Sequence, residues 1–294
     1  MSKVSAKTIQ VAVADLNGIL RGKILPSKNA EKLKNKSIRL PLSALNVDLL
    51  GEDIENSPLV FESGDTDGYI SSTGREPFRF NWLEKSPLFY PCWMFTDDDE
   101  NFLGDARHTL NKTLNGYKER GWTVTAATEM EFYLVNATND SLKPPINPKT
   151  NNQLICADVY STQDLNDFEV ILSEIQRACL EAGIDFESIT SESGCGQFEV
   201  TLKHRNALLA ADDALFLKII TKGVAIKHGL TATFMAKPYL DQPGNGMHVH
   251  FSILNNNGQN IFSSGGNSGS KFLKNAIGGC ISAMKASTLI FAPF

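Results

Sequence analysis

The run Thr128–Val135, TEMEFYLV, restricts the folds open to this chain more than any other stretch. Successive side chains of a strand point to opposite faces, so Glu129 and Glu131 share one face and Met130 and Phe132 the other. The segment from Trp122 to Val135 is therefore read as a strand with an apolar face and an acidic one. Two carboxylates side by side repel, and partial burial raises that cost. A cation between them removes the conflict. A solvated E-x-E face is also common, so the pair needs support from elsewhere in the chain.

After residue 97 strands are interleaved with helices. A helix is expected over Arg107–Arg120, with Leu110, Leu114 and Tyr117 on one face and Gly121 ending it. Leu165, Phe168, Ile171, Leu172, Ile175 and Cys179 recur at helical spacing through Thr162–Ala182, with Gly183 as C-cap. The next helix, Ala207–His228, carries more apolar residues than charges and reads as largely buried. GQFEVTL, TATFMAKP and MHVHFSIL read as strands, and a Gly/Ser/Asn loop at 255–270 leads to a last apolar helix. Before residue 97, IQVAVAD turns at Asn17-Gly18 into GILRGKILP as a hairpin, and short strands with long loops follow. The break at Thr96–Asn101, TDDDEN, divides the chain into domains 1–96 and 97–294. The expected fold class is α+β.

Composition narrows the function. The 294 residues are 42% hydrophobic and 21% charged, as in a globular protein with room for a substantial core. A net charge of −5 argues against a phosphate-tracking nucleic-acid surface, which needs clustered Lys and Arg. No apolar run approaches the roughly 18 residues of a membrane span, and the N-terminal apolar run is too short for a secretory signal. The five cysteines (Cys92, Cys156, Cys179, Cys195, Cys280) are scattered without a CxxC, which suits a reducing cytoplasm and no structural zinc.

Two further segments support the acidic strand. Glu192 and Glu199 bracket SGCGQF at an odd separation, which a continuous strand would aim at opposite faces. Gly194 and Gly196 permit a loop or bulge that resets the phase, and Gln197 shares a face with Glu199 in any case. His248 and His250 fall on one face of MHVHFSIL, with Val249 behind. Four carboxylates and the His248 imidazole suit Mg²⁺ or Mn²⁺ better than zinc, and their number suggests two ions, an arrangement suited to phosphoryl transfer. There is no Walker-type GxxxxGK[ST] and no GxGxxG, so ATP, if used, is held another way.

With these residues in place, DLNGILRGK, TEMEFYLV, ESGCGQFEV and FMAKPY followed by GNGMHVHFSI resemble the successive motifs of the glutamine synthetase family. DLNGILRGKILP, VYSTQDLNDF and TATFMAKPY look most like its γ-glutamylputrescine synthetase branch. The resemblance implies an N-terminal β-grasp domain, a catalytic α+β domain, and a ring-shaped, dodecamer-like homo-oligomer with active sites between neighbouring subunits. It implies that ATP phosphorylates the γ-carboxylate of glutamate and that an amine or ammonia displaces the phosphate. By position, Glu131, Glu192 and Glu199 match the ligands of one metal, and Glu129 and His248 those of the other. His250 and Ser252 match positions around the nucleotide, Gly244 the glutamate-binding loop, and Asp15 an acid that takes a proton from the amine in the adjacent subunit's site. The alternatives are glutamine synthetase proper, a non-catalytic family member, and a metal-dependent hydrolase that works without ATP.

Two departures from the family pattern stand out. Pro243 occupies a position that is Asn in many glutamine synthetases, and Asn245 replaces a Ser, which favours an amine over ammonia. No Arg follows Arg205, although a phosphoryl-transfer site needs guanidinium groups. The family carries these arginines and a further Glu in a stretch that would follow Phe294. The chain is therefore expected to be roughly two thirds of its parent by the family's typical length, with weak metal binding and no activity alone.

Overall fold

A computed structural model of the chain describes residues 7–138, 141–155, 158–266 and 268–291. Cys156 and the closing Ala292–Phe294 lie outside them. β1 (Thr8–Ala14) and β2 (Leu20–Pro26) form the expected hairpin, with Ala14 opposite Leu20, so the connection is longer than the Asn-Gly pair alone. β3 (Ile38–Pro41), the short helix α1 (Pro58–Phe61), β4 (Asp67–Ser72), β5 (Phe78–Arg79) and β6 (Leu88–Phe95) follow. They complete a sheet in the order β2-β1-β6-β4-β3, with β5 on β6 and only β1 and β6 parallel. Strand alternation gives this sheet two apolar faces. Ile9, Val11 and Val13 pack with Ile38, Ile70 and Met94, while Ala12, Phe78 and Phe89 face the second half of the chain.

That half begins with α2 (Ala106–Lys118), whose N-cap Asp105 accepts the backbone N–H of Arg107 at 2.9 Å. Next come β7 (Thr123–Thr138), β8 (Ser141–Lys143), α3 (Thr162–Asp167), α4 (Glu169–Glu181), β9 (Phe186–Ser191), β10 (Gln197–Leu202) and β11 (Arg205–Asn206). α5 (Ala207–Lys227), β12 (Thr231–Thr233), β13 (Met247–Leu254) and α6 (Lys271–Phe291) complete the order. β7 is the spine of the second sheet, pairing antiparallel with β10, β11, β12, β13 and β8. Its even-numbered Met130, Phe132 and Leu134 join Phe198, Val200 and Leu202 of β10 in a core closed by α4 and α5. Each such side chain contributes about 1.5–3 kcal/mol through burial. No helix among the described residues is long and apolar enough to cross a membrane.

Two sequence expectations are corrected. The single helix over Thr162–Ala182 is two, α3 and α4, because Phe168 leaves helical geometry (φ −97°, ψ 12°). Its ring is buried against Phe198, and Asp167 beside it accepts Asn147 Nδ2 at 2.5 Å and Gln163 Nε2 at 2.7 Å. These tertiary anchors outweigh helical continuity. The expected strand TATFMAKP stops at Thr233, where the chain leaves the sheet and Phe234 packs on Phe132 at 5.4 Å.

Two buried arginine–aspartate links hold the sheets together. Arg75, on the loop after β4, meets Asp213 of α5 at 2.6 Å, and Arg205 meets the other oxygen of Asp213 at 2.9 Å. Arg107 engages both oxygens of Asp212 (2.8 and 3.1 Å) and lies over the Trp93 ring at 3.8 Å. Arg75 also lies over Phe216, which stacks edge-on against Phe78 and Phe89 of the first sheet.

Candidate active site

The register of three strands assembles the polar face. Glu129 of β7 stands between Thr201 of β10 and His248 of β13, and Glu131 is directly opposite Glu199. As β7 and β10 alternate, their glutamates are half-buried on one face while Met130, Phe132, Phe198 and Val200 are buried on the other. Ligand atoms of Glu129, Glu199 and His248 all lie within 4.8 Å of one another. The two histidines clasp Glu129, His248 Nδ1 lying 3.1 Å from Oε2 and His250 Nε2 3.1 Å from Oε1. Both imidazoles are otherwise exposed.

Glu192 reaches this face through the loop that Gly194 and Gly196 permit. It is not on a strand but in the turn joining β9 to β10, two antiparallel strands with Ser191 opposite Phe198. Glu192 N–H donates to Gln197 O at 2.9 Å, so residues 192 and 197 face each other across the hairpin. The phase of Glu192 is set by this pairing. Gly196 supplies the positive φ (+76°) that the turn needs. Gly194 is required for a second reason: a Cβ there would lie 1.9 Å from the Tyr133 hydroxyl, which donates to Pro243 O at 2.7 Å. The ring of Tyr133 is fully buried and cannot retreat. Gly194→Ala is expected to break that bond and lower stability by about 2 kcal/mol, read as the shift of a urea unfolding midpoint.

Burial, reinforced by the charge of Glu131, raises the Glu192 carboxyl above the ordinary value of 4.5. Burial followed by the charges of Glu129, Glu192 and Glu131 raises Glu199 likewise. Glu129 moves the other way, because the hydrogen bond from His250, followed by those effects of His248 that favour the carboxylate, outweighs burial. Crowded, half-buried carboxylates beside two imidazoles are a hard, anionic donor set that fits a divalent cation such as Mg²⁺ or Mn²⁺.

The remaining candidate residues are placed differently. Glu131 and Glu192 do not enter the tight Glu129–Glu199–His248 group; Glu131 Oε2 instead accepts Gln197 Nε2 at 3.0 Å. Gly244 presents its carbonyl to the same amide at 2.9 Å. Ser252 lies two residues along β13 from His250 and accepts Asn260 Nδ2 at 3.3 Å. Asp15 is committed to its own turn: Oδ1 accepts the N–H groups of Asn17 and Ile19, and Oδ2 accepts Arg21 Nε at 2.9 Å. Among the described residues none of these partners belongs to the acidic cluster. Tyr133 had no functional signal in the sequence, Asn245 stood out only as replacing a Ser of the family's loop, and Gln197 showed only that it shares a face with Glu199.

On this mixed α+β chain, a sheet face that carries carboxylates and imidazoles defines a candidate cation-binding site. Residues 103–294 match the family model "Glutamine synthetase, catalytic domain". The chain is 34% identical to γ-glutamylputrescine synthetase PuuA of Escherichia coli (strain K12), across 97% of this chain and 61% of that protein. It is 31% identical to glutamate–isopropylamine ligase of a Pseudomonas species (100% and 64%) and 29% identical to glutamine synthetase of Pyrococcus furiosus (98% and 60%). Among solved structures, a novel glutamine synthase homolog superposes with a TM-score of 0.84 at 22% identity, covering 100% of this chain and 66% of that one. The chain belongs to the glutamine synthetase family. It spans somewhat under two thirds of the length of these curated relatives.

Proposed function

We propose that the full-length protein is a cytoplasmic, ATP- and divalent-cation-dependent ligase that phosphorylates the γ-carboxylate of glutamate and joins it to an amine. The observation that carries this reading is the convergence of Glu129, Glu131, Glu192, Glu199 and His248 on one sheet face in a chain of this family. Bound Mg²⁺ or Mn²⁺ would neutralise phosphate oxygens between two anionic reactants. Glu131, Glu192 and Glu199 would hold one ion and Glu129 and His248 the other, with Glu199 near enough to Glu129 and His248 to stand between the two positions. His250 and Ser252, further along β13, would lie toward the nucleotide, and Gly244 toward glutamate.

A carboxylate is a poor electrophile until phosphorylation makes its oxygen a leaving group, and a protonated amine is no nucleophile until a base takes its proton. Asp15 is assigned that proton from a neighbouring copy. Its carboxylate must then exchange Arg21 for the ammonium group, because the Asp15 side chain is fully enclosed beside Arg21. A ring-shaped, dodecamer-like assembly fits the exposed Leu16, Ile19, Leu49 and Leu50, which lie on two loops tied together by Asn17 Nδ2 donating to Val47 O. The first sheet would be the β-grasp domain, residues 1–96, and residues 97–294 the catalytic domain.

Amine is favoured over ammonia by two relatives whose names specify amine products or substrates and by Pro243 in the substrate loop. Glutamate-dependent ADP release by the full-length protein, measured with a panel of amines and with ammonium, tests this. Release with ammonium alone would turn the reading to glutamine synthetase, and turnover without ATP would end it.

The raised carboxyls set a pH dependence. Cation binding needs ionised glutamates, so Mn²⁺ affinity is expected to fall with decreasing pH and to begin falling above 4.5, the ordinary Glu value. In the cation-free protein the raised Glu192 and Glu199 add stability that is fully present below their unfolded values and is lost as pH rises through their folded ones. Glu129, with its lowered value, adds stability above the ordinary range that is lost as pH falls through its folded value. Calorimetric Mn²⁺ titrations across pH check the sign; an affinity that rises on acidification would contradict it.

A further inference from the structure

Gln197 is 2% exposed and ties the acidic cluster to the loop between β12 and β13. Its Oε1 accepts the N–H of Gly194 at 2.9 Å, which fixes the orientation of the amide, because that N–H needs an acceptor. Nε2 then faces three acceptors: Glu131 Oε2 at 3.0 Å, Gly244 O at 2.9 Å and Asn245 Oδ1 at 3.0 Å. An amide nitrogen has two protons, so three acceptors must share two donors. Asn245 carries the constraint onward. Its Nδ2 donates to Met235 O at 2.9 Å and Thr233 O at 3.2 Å, and its backbone N–H donates to Ala236 O at 2.8 Å.

We propose that Gln197 is a positioning residue that couples cation binding at Glu131 to closure of the Gly244–Asn245 loop on its substrate. This rests on the ligase reading above. Without a cation, Glu131 competes with the loop for the two N–H groups. Once Glu131 commits Oε2 to a cation, both donors go undivided to Gly244 O and Asn245 Oδ1, and the loop tightens. Linkage makes the effect reciprocal: a loop already closed on glutamate draws the amide away from Glu131 and leaves Oε2 free for the ion.

The test uses the full-length protein with Mn²⁺ as probe, titrated calorimetrically with and without saturating L-glutamate. Glutamate is expected to tighten wild-type Mn²⁺ binding about tenfold. Gln197→Glu keeps the shape of the side chain and an acceptor for Gly194 N–H but removes both donors. It should still bind Mn²⁺, with a lowered unfolding midpoint because its buried carboxylate faces Glu131 Oε2 and two carbonyl oxygens, while the glutamate effect shrinks to under about twofold. Asn245→Ala, which removes one acceptor from the loop side, should reduce the coupling independently if the first variant folds poorly. A purely structural role would lower the midpoint and leave the affinity ratio intact, and that result, or wild-type coupling in both variants, overturns the proposal. A wild-type protein that binds no Mn²⁺ overturns the ligase reading and this inference together, whereas Mn²⁺ binding indifferent to glutamate overturns this inference alone.

Discussion

Glu131→Gln in the full-length protein abolishes glutamate- and ATP-dependent ADP release and leaves the fold standing. Glu131 is half-buried, opposite Glu199 across the β7–β10 ladder, and its charge helps to raise both Glu192 and Glu199. The amide is isosteric and removes one of several mutually repelling charges, so the cation-free protein loses no favourable ion pair at this position. What it loses is a hard oxygen donor. Changing residues that merely support metal ligands already costs about 10–100-fold in affinity or activity, and removing a ligand should exceed that. His248→Ala should act alike, since it removes the only imidazole in the Glu129–Glu199–His248 group and lies on an exposed strand position with little packing to forfeit. Thermal midpoints close to wild type with turnover at background are the expected pair of measurements; wild-type turnover in either variant would sink the site.

The second large effect concerns stability. Asp213→Ala is expected to cost about 3–5 kcal/mol, because it strands two guanidinium groups that share this one carboxylate. The Arg75 and Asp213 side chains are 7% and 3% exposed, so water cannot replace the lost partner. Arg75 also donates to Ala182 O at 3.0 Å and lies over Phe216, so its displacement disturbs the contact between the first sheet, α4 and α5 together. The thermal midpoint should fall by roughly 10 °C. Asp212→Ala should cost less, since Arg107 is more exposed and keeps the Trp93 face beneath it. A loss under 1 kcal/mol at Asp213 would show that the two sheets are held by Phe78, Phe89 and Phe216 and not by the ion pair.

Much of the local structure was legible. The alternation in TEMEFYLV marked β7 and assigned Glu129 and Glu131 to one face, and MHVHFSIL became β13 with those very limits. Helix spacing located α2 and α5 to within a residue or two. These features depend on neighbours two to four residues away, and the sequence holds that information directly. The break at Phe168 was not legible, because the periodicity of α3 and α4 runs straight through it and the cause is a ring packed against Phe198, thirty residues on. β9 was missed as well, since FESITS shows half-exposed polar positions that make a strand only beside β10.

By itself the sequence determined which residue types would crowd a site, and on which strand face Glu129, Glu131, His248 and His250 would stand. Only the tertiary structure decided which of them meet. His248 clasps Glu129 across 119 residues, Gln197 reaches Glu131 across 66, and Glu192 joins the same face through a hairpin turn whose pairing no local period encodes. The division has a physical cause. A side chain's face follows from backbone geometry within one strand, whereas register between strands is fixed by burying Met130, Phe132, Phe198 and Val200 against α4 and α5, a condition that the whole chain must satisfy at once.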